Sequence, residues 1–86
     1  MALPKPEPFT RIVRDPRIVG GEPTVKGTRI PVRSIVLFRE HEGSLADIFK
    51  AFPRLTADDV REALAYYEAH RAEIDGYIRE NQDDGG

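Results

Sequence analysis

The stretch Phe52-Pro53-Arg54-Leu55-Thr56-Ala57-Asp58-Asp59-Val60-Arg61-Glu62-Ala63-Leu64-Ala65-Tyr66-Tyr67 contains a helix stop, a helix start and a periodic run. Pro53 cannot continue a helix, because its ring removes an N–H donor and clashes with the preceding turn. Thr56 with Asp59 three residues later has the form of a capping box, in which each side chain satisfies the other residue's backbone N–H. Val60, Ala63, Leu64 and Tyr67 then recur at helical spacing and predict a helix opening at Thr56. Two helices meeting at such a short link make the chain mainly α.

Upstream of Pro53, Leu45, Ile48, Phe49 and Phe52 form a second apolar stripe, with Ser44 and Asp47 as its expected cap. Gly43 separates it from a helix opening at Pro31, where the missing N–H is not needed; Val32, Ile35, Val36 and the stem of Arg39 share its face. Earlier still, Arg11-Ile12-Val13-Arg14, Arg17-Ile18-Val19, Thr24-Val25 and Thr28-Arg29-Ile30 read as short strands. Asp15-Pro16, Gly20-Gly21 and a turn at Lys26-Gly27 punctuate them. Such ribbons are marginal in water unless a helix or a second subunit covers them. Residues 1–10 hold three prolines and no apolar periodicity.

Downstream, Ile74 and Ile78 extend the Tyr67 seam past Arg71. A single helix from Thr56 to Glu80 would be roughly 37 Å long, more than a core of this size can cover. Gly76 should bend or fray its end, and Asp83-Asp84-Gly85-Gly86 read as a tail. Uncovered Tyr67, Ile74, Tyr77 and Ile78 therefore predict an interface, either with a different protein or with a second copy. On this reading, removing everything after Ala72 leaves the fold intact. The expected organisation is a flexible arm (1–10), a three-helix helix-turn-helix-like domain with an N-terminal β-ribbon (11–72), and a C-terminal partner-binding extension and tail (73–86) on an extended last helix.

With 86 residues and no cysteine, the chain has a thin core and neither disulfide nor thiolate to staple it. A homodimer or larger assembly would supply the missing burial. No segment approaches the roughly 20 apolar residues of a membrane span, and no leader is evident, so a cytoplasmic protein is expected. The net charge of −2 is unevenly spread: residues 1–34 carry seven Lys/Arg against three Asp/Glu, and the remainder six against twelve.

The basic half suggests phosphate. Arg11, Arg14, Arg17, Lys26, Arg29 and Arg33 lie on the ribbon and first helix, and a paired ribbon can enter a major groove. Arg54 and Arg61 flank the start of the third helix. That helix opens Thr56-Ala57-Asp58-Asp59, whose carboxylates repel phosphate, so the helical pair reads either as a DNA reader or as plain core. These eight cations are the candidate DNA contacts. Gly20-Gly21-Glu22-Pro23 and Lys26-Gly27-Thr28 lack the full phosphate-loop pattern and read as turns. His41 and His70 stand in no ligand pattern and read as surface histidines. No catalytic residue, metal site or cofactor is expected, and the chain reads as a binding protein, not an enzyme.

Gly20-Gly21-Glu22-Pro23-Thr24-Val25-Lys26-Gly27-Thr28-Arg29-Ile30-Pro31-Val32 strongly resembles the signature of the domain-of-unknown-function family 433. Phe52-Pro53-Arg54-Leu55-Thr56, Asp59-Val60 and Ala63-Leu64-Ala65-Tyr66-Tyr67 resemble its second motif, so the likeness covers about residues 11 to 80. The resemblance implies a homeodomain-like helix-turn-helix and a VapB-type antitoxin that inhibits a PIN-like ribonuclease encoded beside it; binding of its own operator by a dimer is the companion expectation from the basic ribbon and the helical pair. Such nucleases gather carboxylates around a divalent metal, where an inhibitor's cation can compete. Arg71 and Arg79 are the candidates for that role, beside the apolar anchors Tyr67, Ile74, Tyr77 and Ile78. The alternative for Arg79 is an intrahelical pair with Asp75. A stand-alone DNA-binding regulator and a structural oligomerisation module remain the competing classes.

Overall fold

The computed structural model describes residues 9–42 and 45–84. Its elements are β1 (Ile12–Val13), β2 (Thr24–Val25), α1 (Val32–Glu42), α2 (Leu45–Ala51), α3 (Ala57–Ala69) and α4 (Arg71–Asp84). The chain is mainly α, with one short antiparallel ribbon in the register Ile12 to Val25 and Val13 to Thr24. α1 packs against α2, α3 and α4, and β1 lies on α3.

The glycine- and proline-rich stretch before α1 is a compact turn system. Gly27 takes φ +80°, where a Cβ would be strained. The Thr28 N–H donates to the Val25 carbonyl at 3.0 Å, and Val25 N–H to the Ile30 carbonyl at 3.0 Å. The Thr28 hydroxyl donates to the same Val25 carbonyl at 2.8 Å and accepts from Ile30 N–H at 3.0 Å. This loop sets Pro31 beside Thr24 in an isolated bridge, and α1 starts with Val32 N–H donating to the Pro23 carbonyl at 2.9 Å. The threonine therefore acts as a structural pin, and the turn at Lys26-Gly27 is as expected.

Two expected strands are absent. Val19–Gly21 forms a single 3-10 turn, with Val19, Gly20 and Gly21 all at positive φ, which no strand tolerates. Thr28–Ile30 spends its backbone groups within the loop just described.

Val32, Ile35 and Val36 are fully buried, as is Ile48 of α2; Leu45 departs from the expected stripe and is 53% exposed. The Thr56 cap is complete: Thr56 N–H donates to Asp59 Oδ2 at 2.9 Å, and Asp59 N–H to Thr56 Oγ1 at 3.1 Å. The expected Ser44 cap, the Gly43 break, arm residues 1–8 and the end at Gly85-Gly86 lie outside the described residues.

The largest correction concerns the last helix. The chain leaves helical geometry at His70 (φ −134°, ψ 41°), so α3 and α4 are separate helices and no 37 Å rod forms. Gly76 is not the break, and α4 runs through it to Asp84, taking in the expected tail residues Asp83 and Asp84. No glycine or proline marks His70. Tertiary attraction supplies the reason, since Ile74 is fully buried in the common core and Glu73 is bonded to Arg14 of the ribbon. A boundary at residue 72 therefore cuts through the packed unit.

Candidate functional site

The basic residues of the ribbon are largely spent within the molecule. The Arg11 N–H donates to Glu62 Oε1 at 2.7 Å, and its guanidinium reaches Asp59 at 3.2 Å and Asp58 at 3.7 Å. Arg17 clamps Asp15 through contacts at 3.1 Å, which holds that carboxyl below its usual range. Arg33 pairs with Glu22 at 2.8 Å, both side chains mostly covered, and Arg61 pairs with Asp58 at 2.9 Å. Lys26, Arg29 and Arg54 are exposed. With Arg14, which pairs with Glu73 of α4, five of the eight candidate DNA contacts face carboxylates; Arg11 does so because β1 lies across the acidic start of α3.

At that start, burial opposes ionisation of Asp59. The Thr56 N–H and hydroxyl, together with Arg11, outweigh it, and the Asp59 pKa is lowered.

Arg14 anchors a second cluster, where β1, α3 and α4 meet. Its Nη1 lies 2.5 Å from Glu73 Oε2 and its Nη2 donates to Glu73 Oε1 at 2.7 Å, a two-pronged match of planar groups. Arg14 also donates to the Tyr66 hydroxyl. That hydroxyl reaches Glu73 Oε1 at 3.3 Å, and the Tyr77 hydroxyl reaches Oε2 at 3.4 Å. His70 stacks on Tyr66 at 4.3 Å, with Nδ1 3.8 Å from Glu73, and Phe9 meets the Tyr66 ring edge-on at 5.2 Å. His70 is therefore a packed residue instead of the expected surface histidine, and Phe9 is tied down although it belongs to the expected arm. The Glu73 hydrogen bond, acting against a smaller desolvation effect, raises the Arg14 pKa further above its already high ordinary value.

Tyr66 and Glu73 were missed by sequence reasoning. Tyr66 follows Ala63 by three residues, a spacing that does signal a helical face. Its partners Arg14 and Phe9 are more than fifty residues away, and nothing in the pattern links them.

The expected toxin contacts divide. Tyr67 and Ile74 are buried, with the Tyr67 hydroxyl donating to Asp75 at 2.8 Å. They belong to the core, and the excess seam predicted from a straight helix is covered by α1 and α3. Tyr77 and Ile78 are half-buried against the same core. Arg71 pairs with Glu68 at 2.8 Å and lies 5.1 Å over the Tyr67 ring. Arg79 is exposed. It makes no ion pair among the described residues, so the intrahelical pair with Asp75 is not formed; Asp75 serves Tyr67 instead.

These tyrosines predict an alkaline limit. Burial raises the phenol of Tyr66, the hydrogen bond to Asp75 raises that of Tyr67, and burial raises that of Tyr77, all above 10.0. Folding then favours the protonated phenols, so their contribution is complete below pH 10.0 and is lost as pH rises through the folded values. Phenolate absorbance should develop later in the folded chain than in urea. Coincident titrations would contradict the assignment.

Between α2 and α3 lies an open groove of about 290 Å³, lined by Leu45, Phe49, Ala57, Val60, Arg61 and Leu64. No group of three His, Cys, Asp or Glu side chains is placed to hold a metal among the described residues. No helix among them is long and apolar enough to cross a membrane.

Comparison with known proteins agrees with this architecture. The uncharacterized protein y4eO of Sinorhizobium fredii is 36% identical over 59 residues, which are 69% of this chain but 27% of that protein. This chain therefore spans about a quarter of that relative's length. A crystal structure of a DUF433 member protein from Anabaena variabilis superposes with a TM-score of 0.76 at 33% identity, covering 80% of this chain and 68% of that one. Residues 12–67 match the family described as "Protein of unknown function (DUF433)", and with the ribbon, the turn system, α1, α2 and most of α3 inside that match, the chain belongs to the DUF433 family.

Proposed function

We propose that this protein works by binding a protein partner, as the antitoxin half of a toxin–antitoxin pair whose toxin is a PIN-like ribonuclease. The observation that carries the reading is Arg79. It projects from α4 as an exposed guanidinium with no carboxylate partner among the described residues, beside the partly exposed Ile78 and Tyr77. A free cation next to an apolar foothold suits insertion into a carboxylate-rich metal site, since guanidinium matches carboxylate geometry. The foothold is narrower than the sequence suggested, because Tyr67 and Ile74 face inward.

Operator binding in a cytoplasmic, non-enzymatic regulator is the smaller part of the proposal. It falls to Lys26, Arg29 and Arg54, because Arg11, Arg14, Arg17, Arg33 and Arg61 already neutralise carboxylates. Phosphate would have to compete with those internal pairs.

The test is co-expression with a PIN-like ribonuclease encoded beside this gene, followed by co-purification and an RNA-cleavage assay. Arg79→Ala should leave thermal unfolding unchanged and weaken inhibition by about tenfold or more, the scale of a lost charge-assisted contact. Full inhibition by Arg79→Ala, or failure of the two products to associate, would sink the reading.

A further inference from the structure

We infer that the outer face of α3 is a self-association surface, on which two copies pair antiparallel about a two-fold axis between Leu64 and Ala65. The argument rests on charge order along that face. Asp58, Arg61 and Glu68 of α3, and Arg71 at the opening of α4, are all exposed, with side chains 54%, 75%, 52% and 58% accessible. Each already has a partner in its own chain, Arg61 with Asp58 and Arg71 with Glu68.

Antiparallel pairing about a point between positions 64 and 65 sets residue 61 opposite residue 68 within α3, and brings residue 58 toward the α3–α4 junction. Arg61 of one copy then faces Glu68 of the other, a contact that occurs twice, while Arg71, held on Glu68 at 2.8 Å, stands at the opening of α4 beside the end of the face. The central charges meet their opposites, as a two-fold contact requires: the surface must complement itself. The exposed charges of the face are mixed in sign, with Arg11 of the ribbon beside Asp58 at 3.7 Å, whereas residues 35–86 as a whole carry twice as many acidic as basic side chains. A basic partner would find its match elsewhere on this half. A second copy finds it here.

The centre of the face is apolar and small enough for helices to approach closely. Ala65 and Ala69 are exposed and Leu64 is half-buried. Beside them runs the α2–α3 groove, flanked by Leu45, the one large apolar side chain that is more than half exposed among the described residues. Exposed ion pairs contribute little energy each and chiefly fix register. Affinity comes from covering Leu64, Leu45, Phe49 and the alanines. So small a patch makes a concentration-dependent dimer, weaker than the standard interfaces that bury about 800 Å² per partner.

The test is sedimentation equilibrium of the full chain over a wide concentration range, with three variants. Ala65→Glu places like charges across the axis, at a position exposed in the single chain, and should weaken the dimer roughly a hundredfold with unfolding of the monomer unchanged. Arg61→Glu alone should also abolish pairing, because two carboxylates then face each other. Combining Arg61→Glu with Glu68→Arg restores opposite charges across the axis while leaving both intrachain pairs broken, so recovered association would report the intermolecular contact specifically. Three outcomes would each overturn the inference: a wild-type chain that stays monomeric throughout, a dimer indifferent to Ala65→Glu, or a double variant that fails to recover. The inference is independent of Arg79, so a dimer lost in Ala65→Glu without loss of ribonuclease inhibition separates the two surfaces.

Discussion

Replacing Ile74 with alanine is expected to destabilise the protein by about 2–5 kcal/mol, the range for deleting a buried aliphatic side chain that leaves a cavity. Ile74 is fully buried although it stands in the last helix. A chain of this size has only about 4–13 kcal/mol of total stability at 0.05–0.15 kcal/mol per residue. The melting temperature should therefore fall by roughly 10 °C or more, at about 4–8 °C per kcal/mol. Deleting the chain after Ala72 removes Glu73 as well, and should abolish cooperative unfolding altogether. Thermal melts followed by circular dichroism decide the matter. A truncated chain that melted like the wild type would show α4 to be an appendage, and any loss of partner binding on truncation could then be read as loss of a contact surface. On the packing seen here such a loss would reflect unfolding, which is why Arg79→Ala is the proper probe of partner binding.

Glu73→Ala should have the second-largest effect, about 1–2 kcal/mol. Removing one member of a buried ion pair costs about 3–5 kcal/mol, whereas an exposed pair is worth about 0–1 kcal/mol. The Arg14 side chain is 48% exposed and that of Glu73 25% exposed, which sets this pair between the limits and well below the buried one. Its consequence is nevertheless wide, because Glu73 also accepts from the hydroxyls of Tyr66 and Tyr77. Losing it frees the ribbon from α4. A double-mutant cycle with Arg14→Met isolates the pair: the two substitutions together should cost less than their sum, since the second finds the contact already gone. Strict additivity would show that Arg14 and Glu73 do not cooperate in solution.

Much of the architecture could be read from local chemistry. The capping box at Thr56 needs only two side chains three residues apart, and the stop at Pro53 only one ring. The buried face Val32, Ile35 and Val36 follows from 3.6-residue periodicity. The turn at Lys26-Gly27 follows from glycine's access to positive φ, and the family from two spaced motifs. Where these signals run out, errors begin. The strand expected at Arg17–Val19 rested on alternation alone, and three successive residues at positive φ displaced it. A sequence also displays its cations without their partners. Arg11 and Arg14 find theirs across 48 and 59 residues of chain.

The break at His70 shows the same limit from the other side. Periodicity continued through it, and no residue there forbids a helix. On its own the sequence determined which segments are helical, where two of them begin, and which residues have apolar character. The tertiary structure decided how far α3 runs, that Tyr67 and Ile74 face inward, and which cations keep a free charge. Helix starts and stops depend on groups a few bonds apart, whereas the end of α3 and the state of each arginine depend on what the folded chain brings alongside.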